Sequence, residues 1–220
     1  MKRAIDLPAS LKQVAVDEIR RRIFSRQLEP GSRIEQEALA EQIGMSKIPV
    51  REAISDLVAE GLVEVFPRRG AFVVALTQQD IEDHYWILAQ ISGRAAARAA
   101  GVASAATIAE LERNLAALQA SGDEAERARI AVDFHAIINQ AAGSRRMNSV
   151  LRTLGSPIPL EFYEASPDAD AYDEHRELLD ALRDRDAERA RAAMEKHFLH
   201  GASAAIEALE RAGFWADGDE

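Results

Sequence analysis

There is no cysteine anywhere in this chain. Disulfides, thiolate metal sites and cysteine nucleophiles are thereby excluded, and a reducing compartment is permitted. No run of apolar residues is long enough to span a membrane, and the opening residues, MKRAIDLPAS, lack the apolar core of a signal peptide. There is no internal repeat and no low-complexity tract, only an acidic tail, ADGDE. These absences lead us to expect a soluble, cytoplasmic protein with no membrane partner.

Basic charge is scarce as well: 27 Lys/Arg stand against 37 Asp/Glu, a net of −10. Such a balance argues against a polyanionic partner, but the average hides an asymmetry. Residues 1–75 hold 12 of the basic and 11 of the acidic residues, a net of +1, which leaves 15 against 26, a net of −11, for the rest. Only the first part is electrostatically compatible with nucleic acid. A length of 220 residues and a hydrophobic fraction of 47% suffice for two cores, and we expect two domains, 1–75 and 76–220.

The first part alternates helical and turn signals. A helix is expected from about Leu11 to Ser25, with Val14, Ile19 and Ile23 apolar and Arg20, Arg21, Arg22 and Arg26 toward its end. The turn LEPGSRI follows, and then a helix from Glu35 to Ile43, stopped by Gly44. The stretch GMSKIPVREAISDLVAEGLVEV opens a third helix, with Ser46 as cap and Lys47, Ile48 and Pro49 in a first turn that tolerates proline. Val50, Ala53, Ile54, Leu57 and Val58 supply its buried stripe, leaving Lys47 and Arg51 near an exposed amino-terminal end. Cations there oppose the helix macrodipole, so the placement makes sense with an anionic partner. LVEVFPRRGAFVV then reads as a hairpin with Arg68 and Arg69 at its tip. Three helices and such a hairpin describe a winged helix-turn-helix, whose third helix enters the major groove of DNA.

From Thr77 onward the pattern is helical. TQQD resembles a capping box, and helices are expected at about 78–101, 105–120, 123–142, 145–154, 170–184 and 186–212, an all-helical bundle of six or seven helices. GSPIPLEFYEASPDAD, residues 155–170, breaks the series, with room for a short helical turn inside it.

On PGSRI, LAEQIGMSKIPVREAISDLVAEGLVEV and RRGAFV the first domain resembles the GntR family of bacterial transcriptional regulators. On FHAIINQAAGS and EHRELLDALRDRDAERARAAMEKH the second is similar to the FCD ligand-binding domain of the FadR subgroup. The resemblance implies a homodimer on a short, two-fold symmetric operator, with affinity set by a small molecule, often a carboxylate, in the helical domain. Ser46, Lys47, Pro49 and Arg51 match the recognition-helix motif, with lysine where arginine is commoner, and Arg69-Gly70 matches the wing tip, beside Arg68. Arginine can grip guanine with two fixed donors where lysine offers a point charge, so this exchange bears on base readout.

All five histidines lie in the second part, and His135, His175 and His197 match positions that ligate a divalent metal in many FCD proteins. Zinc, nickel or manganese would suit such a site. The aspartate usually found four residues before the first histidine is replaced by Ala131, and Asp133 lies some 200° around the helix from His135. His200 is an extra ligand or an exposed neighbour, and His84 is structural. The subgroup's arginine and glutamate on the first FCD helix correspond to Leu88 and Ser92, so a carboxylate effector would need metal, Arg94 or Arg98, and Tyr85 and Trp86 are candidate lining residues. Tyr85 and Arg94 are the expected effector residues. Two other readings remain open: an effector-independent dimeric repressor with a vestigial site, and a metal-dependent enzyme fused to a DNA-binding module, for which no general base stands beside the histidines.

Overall fold

A computed structural model describes residues 10–155, 158–159 and 169–215. The opening residues 1–9, most of the break expected at 155–170 and the tail ADGDE fall outside them. The chain forms two compact units that divide between Leu76 and Thr77, with Ile158 and Pro159 grouped with the first.

In the first unit α1, Leu11–Phe24, starts where the Ser10 hydroxyl accepts the Gln13 N–H at 3.1 Å. It buries Ala15, Val16, Ile19, Ile23 and Phe24, while Val14, expected in the stripe, is 40% exposed. The stripe advances by four from Ala15 to Ile19 to Ile23, which turns Val14 outward. After β1, Arg33–Ile34, comes α2, Gln36–Gln42, which closes as the Met45 N–H bonds back to the Ala40 carbonyl at 2.8 Å. That return needs Gly44 at φ +67, a conformation glycine adopts freely.

Helix α3, Lys47–Ala59, buries Pro49, Val50, Ala53, Ile54 and Leu57. Val58, expected among them, is 40% exposed and lies beside the stripe. The far end of α3 is tied to α1 by Arg20, whose guanidinium meets the Glu60 carboxylate at 2.8 Å with each side chain only 15% exposed. Strands β2, Val63–Phe66, and β3, Gly70–Val73, pair antiparallel, and β1 joins the other side of β3 to give the order β1-β3-β2.

In the second unit the described residues form six helices: α4, Gln78–Val102; α5, Ala105–Ala120; α6, Glu124–Ala141; α7, Arg145–Leu154; α8, Ala169–Arg183; and α9, Ala187–Arg211. Oxygen-bearing caps set five of the starts. Thr77 and Asp80 complete the capping box, and Ser104, Asp123, Ser144 and Asp186 each accept a backbone N–H two or three residues into their helix. The two longest helices, α4 and α9, pack closely where side chains are small: a Cβ on Gly93 would stand 2.7 Å from Glu195 Cγ, and one on Gly201 would stand 3.2 Å from the Tyr85 ring. Phe134 and Ile138 of α6, Leu178, Leu179 and Leu182 of α8 and Met194 of α9 fill the core. No helix among the described residues is long and apolar enough to cross a membrane.

Candidate functional site

Two sets of side chains carry chemistry, one in each unit. In the first, Ser46, Lys47, Ile48 and Arg51 lie exposed at the start of α3. Ser46 has the extended backbone of a cap residue, but its hydroxyl makes no capping hydrogen bond, so the expected cap is one of position only. Pro49 points inward and is buried; its contribution is to start the helix and pack under it rather than to present a surface. Lys47 is ion-paired with Glu37 of α2, a partner that sequence reasoning missed because ten residues and a turn separate them. Arg51 has no side-chain partner among the described residues.

The arginines of α1 and of the turn after it are instead occupied. Arg21 and Arg22 bond Glu18, at 2.8 and 2.6 Å, and Arg26 bonds Glu29 at 3.0 Å. The arginines without an acidic partner among the described residues, Arg51, Arg68 and Arg69, therefore lie on α3 and the wing.

The wing tip is a tight turn in which the Arg69 N–H bonds to the Phe66 carbonyl at 3.1 Å, with Pro67 and Arg68 in the two central positions. Proline first and positive φ second is the pattern of a type II turn. Arg68 takes φ +66, a conformation costing a non-glycine residue about 1 kcal/mol, and its side chain is exposed. Arg69 folds back with its guanidinium 5.5 Å from the centroids of both Phe66 and Phe72, a cation–π arrangement that holds the group at the tip. Gly70 has φ +105 and stands against Arg33, whose Nε would be 3.0 Å from an added Cβ; its part is conformational.

In the second unit His135 of α6, His175 of α8 and His197 of α9 converge, with one potential ligand atom from each lying within 4.8 Å of the others. Nε2 of His175 and Nε2 of His135 are 3.1 Å apart. Two nitrogens bound to one ion at about 2.0–2.1 Å stand roughly 3 Å apart, so the spacing fits a shared metal. Phe134 stacks on His175 at 4.5 Å, and Phe198 lies 5.0 Å from His135. Burial, reinforced by the neighbouring imidazoles, pushes His135 well below the usual histidine range and His175 down to about 3. Both rings are neutral at pH 7, the form in which imidazole binds metal.

Nδ1 of His197 meets Glu174 Oε2 at 2.9 Å, which leaves its Nε2 for the cluster. Glu174, which sequence reasoning missed, is held below the usual carboxylate range chiefly by that bond. His200 is outside the cluster: its Nδ1 bonds the other Glu174 oxygen at 2.6 Å. Asp133 is exposed, away from His135 as its position on the helix requires. His84 lies 3.3 Å from the Gly155 carbonyl, a structural contact.

The expected effector residues are not brought together. Tyr85 is buried against Gly201, whereas Arg94, nine residues on and so half a turn around α4, is exposed. The pair does not line a common pocket, and Trp86 and Arg98 are also on the outside. Leu88 and Ser92 are buried, at 6% and 1% exposure, so the face where the subgroup carries charge is apolar or small here.

The neutral histidines fix a pH dependence. The unfolded chain takes up protons near the ordinary value of 6.5, whereas folded His175 does so only near 3, so between these values the unfolded state binds more protons and stability falls as pH falls. The urea midpoint of metal-free protein is expected to drop between pH 7 and pH 5, and His175→Gln to flatten that slope.

Two family models match the chain: "Bacterial regulatory proteins, gntR family" over residues 11–73 and "FCD domain" over residues 83–200. An uncharacterized HTH-type transcriptional regulator of Mycobacterium tuberculosis is 26% identical over 185 residues, 83% of this chain and 75% of that protein. The HTH-type transcriptional repressor RspR of Escherichia coli is 24% identical over 196 residues, 81% of this chain and 82% of its own. Among solved structures, E. coli McbR/YncC superposes with a TM-score of 0.67 at 24% identity, covering 93% of this chain and 99% of that one, a likeness of fold. Both matched domains are regulatory and the relatives are named as regulators, so the chain is not an enzyme. It belongs to the gntR family of bacterial regulatory proteins, as a transcriptional regulator whose winged helix-turn-helix DNA-binding domain is followed by an FCD domain.

Proposed function

We propose that this regulator binds a two-fold symmetric operator as a homodimer, and that a small metabolite, together with a divalent metal on His135, His175 and His197, sets its affinity for DNA. The observation that carries the regulatory half is the histidine cluster itself: imidazoles from three helices converge in the bundle, with burial holding His135 and His175 in the neutral form. Three imidazoles with no carboxylate ligand favour zinc or nickel over manganese. A metal held there offers open coordination positions to water or to an effector carboxylate.

This chain's own residues narrow the effector. With Leu88 and Ser92 buried and Arg94 and Arg98 exposed, none of these positions on α4 supplies an inward charge for a carboxylate. The Ser92 hydroxyl and the Asn139 side-chain carbonyl are buried without a partner among the described residues. Asn139 lies one turn beyond His135 on the same face of α6. A small ligand with a carboxylate and hydrogen-bonding groups suits these features.

On the DNA side, Arg51, with Lys47 beside it, reads the major groove, Ser46 and Arg68 meet phosphates, and Arg69 is held at the wing tip for the backbone or minor groove. Arg51→Ala is expected to weaken binding to a selected operator duplex at least tenfold at moderate salt while the dimer persists in sedimentation; unchanged binding would contradict the recognition-helix assignment. Metal analysis of tag-free protein after zinc or nickel loading is expected to give close to one ion per chain, lost in His135→Ala. Failure of the intact protein to take up either ion would leave the effector-independent dimeric repressor as the better reading.

A further inference from the structure

Glu174 directly precedes His175 on α8, yet its carboxylate turns to α9. Oε2 accepts from Nδ1 of His197 at 2.9 Å, Oε1 accepts from Nδ1 of His200 at 2.6 Å, and Lys196 Nζ lies 4.0 Å from Oε1. The side chain is only 10% exposed. A carboxylate so enclosed is costly unless its oxygens are bonded, and here each oxygen has an imidazole donor. His197 and His200 are three residues apart on one face of α9, so a single carboxylate reaches both.

The consequence falls on His197. A bond from Nδ1 to a carboxylate holds the proton on Nδ1, leaves the lone pair on Nε2 and fixes the ring's orientation. The other two members lack such a hold: His175 Nδ1 is buried with no partner among the described residues, and the hydrogen bond recorded for His135 is through its Nε2 to His175. Among the described residues no carboxylate joins the cluster, and Ala131, one turn before His135, offers no donor, so a dication held by the three rings would have no anionic ligand. Glu174 is the acid next to them, and its charge reaches the site through the His197 ring.

We propose that Glu174 is the positioning residue of the histidine cluster: it sets the tautomer and aim of His197, supplies the negative charge that Ala131 does not, and is steadied on its outer oxygen by His200. The metal part of this inference rests on the reading given under Proposed function; the tautomer part does not.

The first test needs no substitution. Nitrogen-15 correlation spectra of the imidazoles in metal-free protein at neutral pH are expected to show His197 protonated on Nδ1, and protonation on Nε2 alone would overturn the proposal. The second is zinc affinity by competition with a chromophoric chelator, together with the visible spectrum of the cobalt-substituted protein. Glu174→Gln, which keeps the shape and loses the charge, is expected to weaken zinc binding about 10–100-fold and to alter the cobalt bands. His200→Ala is expected to stay within about threefold of wild type, since Oε2 still holds His197. If wild-type protein takes up neither ion, the metal reading fails and the charge role falls with it. If wild type binds zinc and Glu174→Gln binds equally well with an unchanged cobalt spectrum, Glu174 has no positioning role and the metal reading stands. A loss in His200→Ala as large as in Glu174→Gln would also overturn the assignment.

Discussion

The second unit is organised around one meeting point: imidazoles from α6, α8 and α9, with His175 buried and His135 and His197 half-buried, each bring a ring nitrogen within 4.8 Å of the others. The helices that deliver them cannot slide or rotate independently, because a shift of one residue turns a ring about 100° away from the other two. The surrounding core keeps that register. Phe134 lies under His175, and Met194 and Leu178 fill the core beside the histidine-bearing turns. The close approach of α4 and α9 at Gly93 and Gly201 leaves little room for either to rotate. Caps at Thr77, Asp123 and Asp186 fix where α4, α6 and α9 begin, and hence where their side chains fall around each axis.

The first unit solves a different electrostatic problem. It has almost as many acids as bases, yet its basic groups are sorted. The arginines of α1 and of the turn after it are paired with Glu18, Glu29 and Glu60, the last of which ties α1 to the end of α3, while Arg51, Arg68 and Arg69 remain at the surface of α3 and the wing. Lys47 stands between these classes, exposed but paired with Glu37. An acid at the start of α2 thus lies beside the first residue of α3, where it orients the lysine. The strained Arg68 and the doubly stacked Arg69 point the same way, since a turn designed for stability alone would place glycine where Arg68 sits.

Much of this was legible in the sequence because it rests on local rules. Helix periodicity and oxygen-bearing caps placed the bundle helices to within a residue or two, as in α5 at Ala105–Ala120 and α7 at Arg145–Leu154. The hairpin was legible from its β-branched runs and PRRG, and the three histidines from a resemblance that fixed their spacing. What escaped was contact between distant residues or a face set by packing. Val14 and Val58 fit a helical stripe by count but lie at its edge, where tertiary packing decides. Glu37 and Glu174 carry no motif of their own: one meets a lysine ten residues away and the other a histidine twenty-three away. Tyr85 and Arg94 both suit an effector by chemistry, but nine residues along α4 is half a turn around its axis, and the structure sends them to opposite sides.

The central claim is that two copies of α3 and its wing, presented by a dimer, read a symmetric DNA sequence. Selection of bound duplexes from a random pool by the intact protein tests it most directly. Enrichment of an inverted repeat with two matching half-sites is the result this account predicts. Enrichment of a lone half-site, or of no sequence above background, would contradict it.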